Sequence, residues 1–301
     1  MSRAITFSEY GAPDVLRLSE VDVPEPGPGQ VRIEVRAAAV NPLDLKIRSG
    51  RVAEMIPVRF PMIPGFDAAG VVDAVGEGAE AGVGDEVLGS TSGGAYSEYA
   101  LLDNPVAKPV ALPWDVAASL VSVGRTAHRV LGELGVQPGQ TLLVHGAAGS
   151  VGIIATQLAT ARGVIVVATV SERDIDRLTA LGATAVPYGE GWWDRVRAVA
   201  PGGIDRVFDA SGAGVLAESV ALAGDIDHVI TIADMSAAQY GVRFSDGSGG
   251  QGENPLPELV QLAADGRLTV PVWRTYPLAE AEQAHTDLEA HRNHGKAVLL
   301  P

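Results

Sequence analysis

The chain has 301 residues, enough for two domains of ordinary size, and 47% of them are hydrophobic, enough to build substantial cores. A net charge of −15 argues against duplex DNA or an anionic membrane surface as a partner, because both require a basic face. The absence of cysteine excludes disulfides, catalytic thiols, iron–sulfur clusters and zinc held by thiolates. No apolar run approaches the roughly 18 residues of a membrane span, and no secretion signal is visible, so we expect a soluble, cytoplasmic protein.

The first third of the chain predicts a module rich in β-strands. Residues 2–10 and 31–40 predict strands, the second with clear alternation of apolar and polar residues. Further short strands are predicted at Ala69–Ala74, Glu86–Leu88 and Tyr96–Ala100, with glycine-rich turns between them. Short strands at this spacing are typical of a compact, barrel-like β module.

From about Trp114 the chain alternates between helices and strands, which is typical of a doubly wound parallel sheet. Near its end the pattern returns to strands, so we expect the β module to close with these strands and to hold the second module as an insertion. The predicted helices are Asp115–Val123, Thr126–Leu134, Asp174–Leu181, Gly191–Ala200, Gly214–Ala223 and one from Asn254-Pro255 to Asp265. The predicted strands are Thr141–His145, Val164–Thr169, Asp205–Asp209, His228–Ile232, Leu268–Trp273 and Lys296–Leu300.

The most informative stretch begins at Thr141 and predicts a strand, a tight turn and a helix, with a second strand one helix length later. Two glycines stand in the turn, and alanine occupies the place of the first glycine of a G-x-G-x-x-G pattern. Small residues let the backbone approach a pyrophosphate, which the N–H groups of the helix N-terminus bind. A βαβ crossover that binds no nucleotide is the alternative. The residues expected to contact the pyrophosphate are Ala147, Ala148, Gly149, Ser150, Val151 and Gly152.

Seven segments, taken together, carry a resemblance to a known family: Tyr10–Leu16, Asn41–Asp44, Ile63–Gly70, Gly84–Gly89, Gly94–Tyr99, His145–Gly152 and Gly295–Leu299. Their order resembles the quinone-oxidoreductase (zeta-crystallin-like) branch of the medium-chain dehydrogenase/reductase superfamily. The resemblance implies an α/β protein with a GroES-like β-barrel catalytic domain at 1–120 and 267–301. It implies a Rossmann domain with a doubly wound parallel sheet at 121–266. It also implies that NADPH transfers a hydride in a cleft between the two domains, and that the chain forms a homodimer through the Rossmann domain.

The chain departs from the zinc-containing members of this superfamily. They carry Gly-His-Glu where this chain has Gly65-Phe66-Asp67, so the histidine ligand is missing. Zinc polarises a carbonyl or alcohol oxygen while cysteine and histidine side chains hold it. Because the chain has Phe66 and no cysteine, we expect no metal and a zinc-free reduction.

The second strand of the predicted βαβ unit ends without the carboxylate that binds a ribose 2′-hydroxyl in NAD-selective domains. Ser171 and Arg173 follow, and an arginine can bind a 2′-phosphate through paired hydrogen bonds. The resemblance adds Tyr188 to this site. Glu172 favours NAD instead, since it could turn toward a ribose hydroxyl, and Arg173 could be an ordinary solvated residue. The pattern favours NADP(H) as the cofactor.

The resemblance also implies where the hydride acceptor and the nicotinamide lie. An alternative for Asn41-Pro42 is a turn in which the asparagine satisfies local backbone groups. We assign no catalytic proton donor, because a reduced quinone can take its proton from solvent. The substrate pocket is expected to include Asn41, Asp44, Lys46 and Phe66. The residues expected near the nicotinamide are Thr126, Ile232, Ala233, Phe244, Ser245 and Lys296.

The leading functional hypothesis is an NADPH-dependent quinone reductase that acts on a small molecule. One alternative is an enone or enoyl (2-alkenal) reductase, which would use the same hydride and a similar cleft. Another is a non-enzymatic NADPH-binding protein. Ser150 has no G-x-S-x-G surroundings, which argues against a hydrolase. The pair Trp192-Trp193 is interpreted as core or helix packing.

Overall fold

The computed structural model describes residues 1–248, 254–292 and 294–301. The strands are β1 Ser2–Thr6, β2 Arg17–Val21, β3 Val31–Val40, β4 Asp67–Val75, β5 Glu86–Ser92, β6 Tyr99–Leu102, β7 Val106–Ala107, β8 Thr141–His145, β9 Ile165–Val170, β10 Thr184–Pro187, β11 Arg206–Asp209, β12 Val229–Thr231, β13 Arg243–Phe244, β14 Val272–Pro277 and β15 Lys296–Leu300. The α-helices are α1 Pro42–Arg48, α2 Trp114–Leu134, α3 Ser150–Ala161, α4 Ile175–Ala180, α5 Trp192–Val199, α6 Leu216–Ala223, α7 Leu256–Ala264 and α8 Ala281–Glu289.

The chain forms two compact units, Met1–Ser122 with Leu256–Pro301, and Val123–Pro255. The predicted boundaries put α7 in the second unit, whereas in the structure this helix belongs to the first. It buries Leu256, Leu259 and Val260 and packs against β7 of that unit. The exact limits of the two domains stay predictions.

The first unit is built around a mostly antiparallel barrel. β3 pairs with both β4 and β6, and β5 also pairs with both, so the four strands close into a ring. The alternation along β3 buries Val31, Ile33 and Val35, which fill the core. β15 adds to β3 in antiparallel fashion, and β14 lies parallel to β15. The predicted β barrel and the return of the C-terminal strands to it are confirmed, but these strands extend the sheet at β3, and the ring itself closes between β3 and β6.

The second unit contains a six-stranded parallel sheet in the order β10-β9-β8-β11-β12-β13. This is the order of a Rossmann fold, in which the sheet grows outward in both directions from its first strand. In such a sheet, ligands bind at the carboxyl ends of the strands, near the point where the order reverses. The loops that follow β8, β9, β10 and β11 are therefore the place to look for a site. The α/β fold class predicted from the sequence is confirmed.

Some elements differ from the prediction. The two helices predicted around Gly124 form one helix, α2, because its buried apolar face runs on without a break. The strand predicted at Leu268–Trp273 begins only after Pro271, a residue that has no N–H to contribute to a sheet. Strands β2, β7, β10 and β13 and helices α1 and α8 were not predicted at all. Among the described residues, the helices are too short or too polar to cross a bilayer.

Candidate active site

The loop between β8 and α3 is a turn that only glycine can close. Gly146 has a left-handed backbone, with φ of 70°, and its carbonyl accepts the N–H of Gly149 at 2.9 Å. A Cβ on Gly152 would lie 2.3 Å from the oxygen of Gly146 and 2.7 Å from the Cα of Ala147. The sequence interpretation gave the place of the first glycine to Ala147 and missed Gly146. The regular spacing of glycine at 146, 149 and 152 was the signal that could have found it.

This turn borders a cavity of about 810 Å³ in the second unit, together with the loops that follow β9, β10 and β11. Five of the residues predicted to bind the cofactor border it: Ala148, Gly149, Ser171, Arg173 and Tyr188. The other predicted residues of the turn do not border it, although they belong to the same loop and the start of α3: Ala147, Ser150, Val151 and Gly152. The residues predicted near the nicotinamide lie outside this cavity and stay predictions: Thr126, Ile232, Ala233, Phe244, Ser245 and Lys296.

Several residues border the cavity without having been predicted, among them His145, Thr169, Asp174, Glu190, Trp192, Trp193 and Glu218. The two tryptophans do pack as interpreted, since the ring of Trp192 meets His145 edge to face at 4.7 Å and Trp193 stacks under Arg197 at 4.1 Å. They also form part of the cavity wall. The interpretation of this pair as packing residues alone was therefore incomplete.

His145 ends β8 and is buried between two hydroxyl groups. Its Nδ1 lies 2.8 Å from the Thr169 hydroxyl and its Nε2 lies 3.1 Å from the Ser219 hydroxyl. Burial lowers its pKa to about 4, against a smaller opposite effect of Asp209, so the ring is neutral at pH 7. A neutral imidazole that is held on both nitrogens fixes the end of β8, from which the glycine turn begins.

Asp209, at the end of β11, organises the loops after β11 and β12. Its carboxylate accepts the N–H of Ser211 at 2.9 Å and the hydroxyl of Thr231 at 2.8 Å. The Thr231 oxygen in turn accepts the N–H groups of Ala233 and Asp234. These bonds fix the backbone at Ile232 and Ala233, the pair predicted to cover the nicotinamide.

The loop after β9 carries a network around one carboxylate. Asp174 accepts the hydroxyl of Ser171 at 2.5 Å and the guanidinium of Arg177 at 3.0 Å, and its nearest distance to Arg173 Nε is 3.6 Å. Arg177 also donates to the carbonyl of Ala148 in the glycine turn at 2.9 Å. Glu172, the acidic residue singled out in the sequence, is exposed and does not border the cavity. Asp174 is the carboxylate at this end of the site.

In the first unit, the structure brings together two of the predicted residues, Asn41 and Lys296. Asn41 precedes α1, and its side chain donates to Asp67 at 2.9 Å and accepts the Lys296 ammonium at 2.6 Å. Lys296 also donates to the carbonyl of Val40, and burial lowers the pKa of its ammonium. Asn41 therefore has both roles: its side chain reaches these two partners, and it also caps the start of α1 in a reciprocal capping box with Asp44. Lys46 and Phe66 are half-buried nearby in sequence, and their roles stay predictions.

The residues around Asn41, Asp67 and Lys296 also show whether a zinc ion would fit in the first unit. At the position where zinc-containing relatives have a histidine ligand, this chain has Phe66, and the adjacent Asp67 is bonded to Asn41 and Ser122. The ammonium of Lys296 lies against Asn41, and its positive charge would repel a zinc ion placed there. Among the described residues, His, Asp and Glu side chains form no cluster of metal-binding geometry. The residues present do not fit a zinc ion.

Asp44 forms the centre of a buried network in the first unit. Its carboxyl accepts the backbone N–H of Asn41 at 2.8 Å and the hydroxyl of Tyr96 at 2.9 Å, and Tyr96 also lies 3.2 Å from the Nε2 of His285. Burial raises the pKa of Asp44 to about 7, although its two hydrogen bonds favour the ionised form. Burial and the charge of Arg48 lower the pKa of His285 to about 3. Neutral forms dominate this network at mildly acidic pH.

We expect Asp44 to make stability fall as pH rises. Its folded-state pKa lies above its ordinary value of 3.8, so its contribution is complete below about pH 4 and is lost on the way to pH 7. The amide of Asp44→Asn imitates the neutral carboxyl. As the pH rises from about 4 to 7, the free energy of unfolding of Asp44→Asn should increase relative to that of the wild type by up to about 4 kcal/mol. Urea unfolding across this range measures the difference.

The informative quantity is the difference in unfolding free energy between Asp44→Asn and the wild type, because His285 and His145 make stability rise with pH in both proteins and cancel in that difference. Their pKa values are lowered, so their contribution is present above about pH 6.5 and is lost as the pH falls. The exposed Asp22→Asn is the control and should give a difference that does not change with pH. A flat difference for Asp44→Asn as well would show that the buried carboxyl is ionised throughout.

Comparison with known proteins agrees with this geometry. Residues 27–113 match the model of the alcohol dehydrogenase GroES-like domain, and residues 181–299 match that of the zinc-binding dehydrogenase family. The quinone oxidoreductase of Lama guanicoe is 33% identical over 100% of this chain and 98% of its own length. The solved quinone oxidoreductase of Coxiella burnetii has a TM-score of 0.89 at 30% identity, covering 100% of this chain and 99% of its own. That of Escherichia coli, solved in complex with NADPH, has a TM-score of 0.84 at 26% identity, with both chains covered fully.

A GroES-like barrel and a Rossmann sheet with a glycine turn define a medium-chain dehydrogenase/reductase, and such proteins are oxidoreductases. Within that superfamily, the chain belongs to the quinone-oxidoreductase family.

Proposed function

We propose that the protein is a zinc-independent quinone reductase that transfers a hydride from NADPH to a quinone. The cavity beside the glycine turn is the observation that carries the proposal, because five residues predicted to bind the cofactor border it together. The cofactor is NADP(H), as in the solved Escherichia coli relative that is complexed with NADPH. Relatives named quinone oxidoreductases support a quinone as the acceptor.

The chain's own residues supply binding and orientation. The turn closed between Gly146 and Gly149 leads into α3, whose first N–H groups after Gly149 would bind a pyrophosphate. Arg173, Ser171 and Tyr188 border the part of the cavity next to the end of β9, where a 2′-phosphate would lie. When bound, the cofactor supplies the hydride from its nicotinamide ring.

No side chain is assigned as a proton donor, because the oxyanion of a reduced quinone is a weak base that solvent can protonate. Binding and orientation then account for most of the catalysis. Lys296 and Asn41 hold each other in the first unit, where the hydride acceptor is expected, and they form a fixed, buried polar contact there. A dimer formed through the Rossmann domain stays a prediction of the family resemblance.

The test is oxidation of NADPH with a 1,4-quinone and with a 2-alkenone, each with and without EDTA. We expect faster turnover of the quinone, no loss of activity in EDTA, and no stoichiometric zinc by elemental analysis. Preferential turnover of the alkenone would favour the enone reductase instead. One zinc per chain that is lost in step with activity would contradict the zinc-free reaction, and the absence of turnover with any acceptor would leave a protein that only binds NADPH.

A further inference from the structure

The carboxylate of Asp174 borders the cavity beside Ser171 and Arg173, the residues predicted to bind a 2′-phosphate. It lies directly after the end of β9 along the chain. Its side chain is only 14% exposed, so its charge is poorly screened by solvent. A dinucleotide with its 2′-position beside Arg173 would place that group next to this carboxylate.

Asp174 also engages the groups that would otherwise bind a phosphate. The hydroxyl of Ser171 has one proton, and at 2.5 Å it donates that proton to Asp174. One amino group of Arg177 donates to Asp174 and to the carbonyl of Ala148. A phosphate oxygen accepts hydrogen bonds and donates none at full charge, so the Ser171 hydroxyl is available to it only at the expense of Asp174.

The charge of the cavity wall points the same way. Of the described residues that border the cavity, Arg173 is cationic, whereas Asp174, Glu190 and Glu218 are carboxylates. A 2′-phosphate adds up to about two negative charges to this wall, whereas a ribose hydroxyl adds none. The hydroxyl can also donate to Asp174, which is how acidic residues bind the ribose in NAD-selective domains.

We propose that Asp174 is a specificity-determining residue that limits the preference for NADPH over NADH, so that the wild-type protein uses both cofactors. This inference rests on the proposed function, since it presumes that the cavity binds the adenosine half of the cofactor. Arg173 attracts the phosphate, Asp174 repels it and binds the hydroxyl, and the preference is the balance of the two.

The test compares wild type with Asp174→Asn, which removes the charge and keeps the size of the side chain. Isothermal calorimetry should measure the affinity for NADPH and NADH, and also for 2′,5′-ADP and 5′-AMP, which lack the nicotinamide. We expect the ratio of affinities to move toward the phosphorylated ligand by about tenfold or more. Asp176→Asn, which removes an exposed carboxylate two residues further along that does not border the cavity, should leave the ratio unchanged.

Asp174→Ser is a second variant that keeps a small polar side chain, and it should move the ratio in the same direction. An unchanged ratio in a wild type that binds NADPH would overturn this inference alone. A ratio that moves toward NADH would also overturn it, because Asp174 would then be orienting Ser171 and Arg177 for the phosphate. A wild type that binds neither dinucleotide would overturn the proposed function together with this inference.

Discussion

Replacement of Arg173 by alanine should raise the Michaelis constant for NADPH and leave that for NADH nearly unchanged. Arg173 borders the cavity, and its side chain is 60% exposed, so little of the fold depends on it. A hydrogen bond to a charged group is worth about 1.5–3 kcal/mol. Because about 1.4 kcal/mol is a factor of ten, the preference for NADPH should fall by about ten- to a hundredfold. Steady-state kinetics with both cofactors measures it.

Turnover at saturating cofactor should barely change in this variant, because the phosphate contact is the same in the ground and transition states. Ser171→Ala should have a smaller effect, since the Ser171 hydroxyl donates its proton to Asp174. Arg162→Ala, which removes an exposed arginine after α3, is the control and should change neither constant. If Arg173→Ala instead weakens both cofactors equally, the residue supports the loop rather than contacting the phosphate.

Replacement of Gly152 by alanine should disrupt the glycine turn. The new Cβ would lie 2.3 Å from the carbonyl oxygen of Gly146 and 2.9 Å from its carbonyl carbon, and these backbone atoms cannot rotate away as a side chain can. Overpacking of this kind costs about 1–3 kcal/mol of unfolding free energy. We also expect at least about tenfold weaker binding of NADPH, because the displaced turn no longer presents its N–H groups to the pyrophosphate.

The chain offers a matched control in Gly132, an exposed glycine of α2 whose added Cβ would meet nothing within 4 Å. Gly132→Ala should stabilise the protein by up to about 1 kcal/mol, since alanine favours a helix over glycine. Thermal unfolding and calorimetric titration of both variants give the two quantities. Binding of NADPH by Gly152→Ala at wild-type affinity would mean that the turn does not hold the cofactor.

The inner strands of the Rossmann sheet could be predicted because they are mostly buried and largely apolar, whereas the edge strands β10 and β13 are only partly buried and were missed. β8 and β9 illustrate this, with buried residues along nearly their whole length and one helix between them. Helix α8 could not be found in this way, because its buried face includes His285 and Asp287. Polar residues on a core face break the apolar periodicity on which such predictions depend.

The sequence could predict which residues border the cavity where backbone position decides it, but not where side-chain direction does, and the role of these residues in binding the cofactor stays a prediction. Ser171, Arg173 and Tyr188 follow strand ends that meet at one edge of the sheet, so they border one cavity. The choice between Glu172 and Asp174 depends on a single turn of 3₁₀-helix, which directs the first to solvent and the second to the cavity. Neighbouring acidic residues give no signal of such a choice.

The discontinuity of the first unit has a consequence for the order in which the protein folds during synthesis. The Rossmann unit is one continuous segment, Val123–Pro255, and all strands of its sheet have been made once β13 leaves the ribosome. The barrel unit must wait for β15, which pairs with β3 and carries Lys296 to its partner Asn41, more than two hundred residues earlier in the chain. Until then the edge of β3 at Ala38–Val40 is exposed to other chains, so a nascent chain from which β13 but not β15 has emerged would carry a complete Rossmann sheet and an aggregation-prone partial barrel.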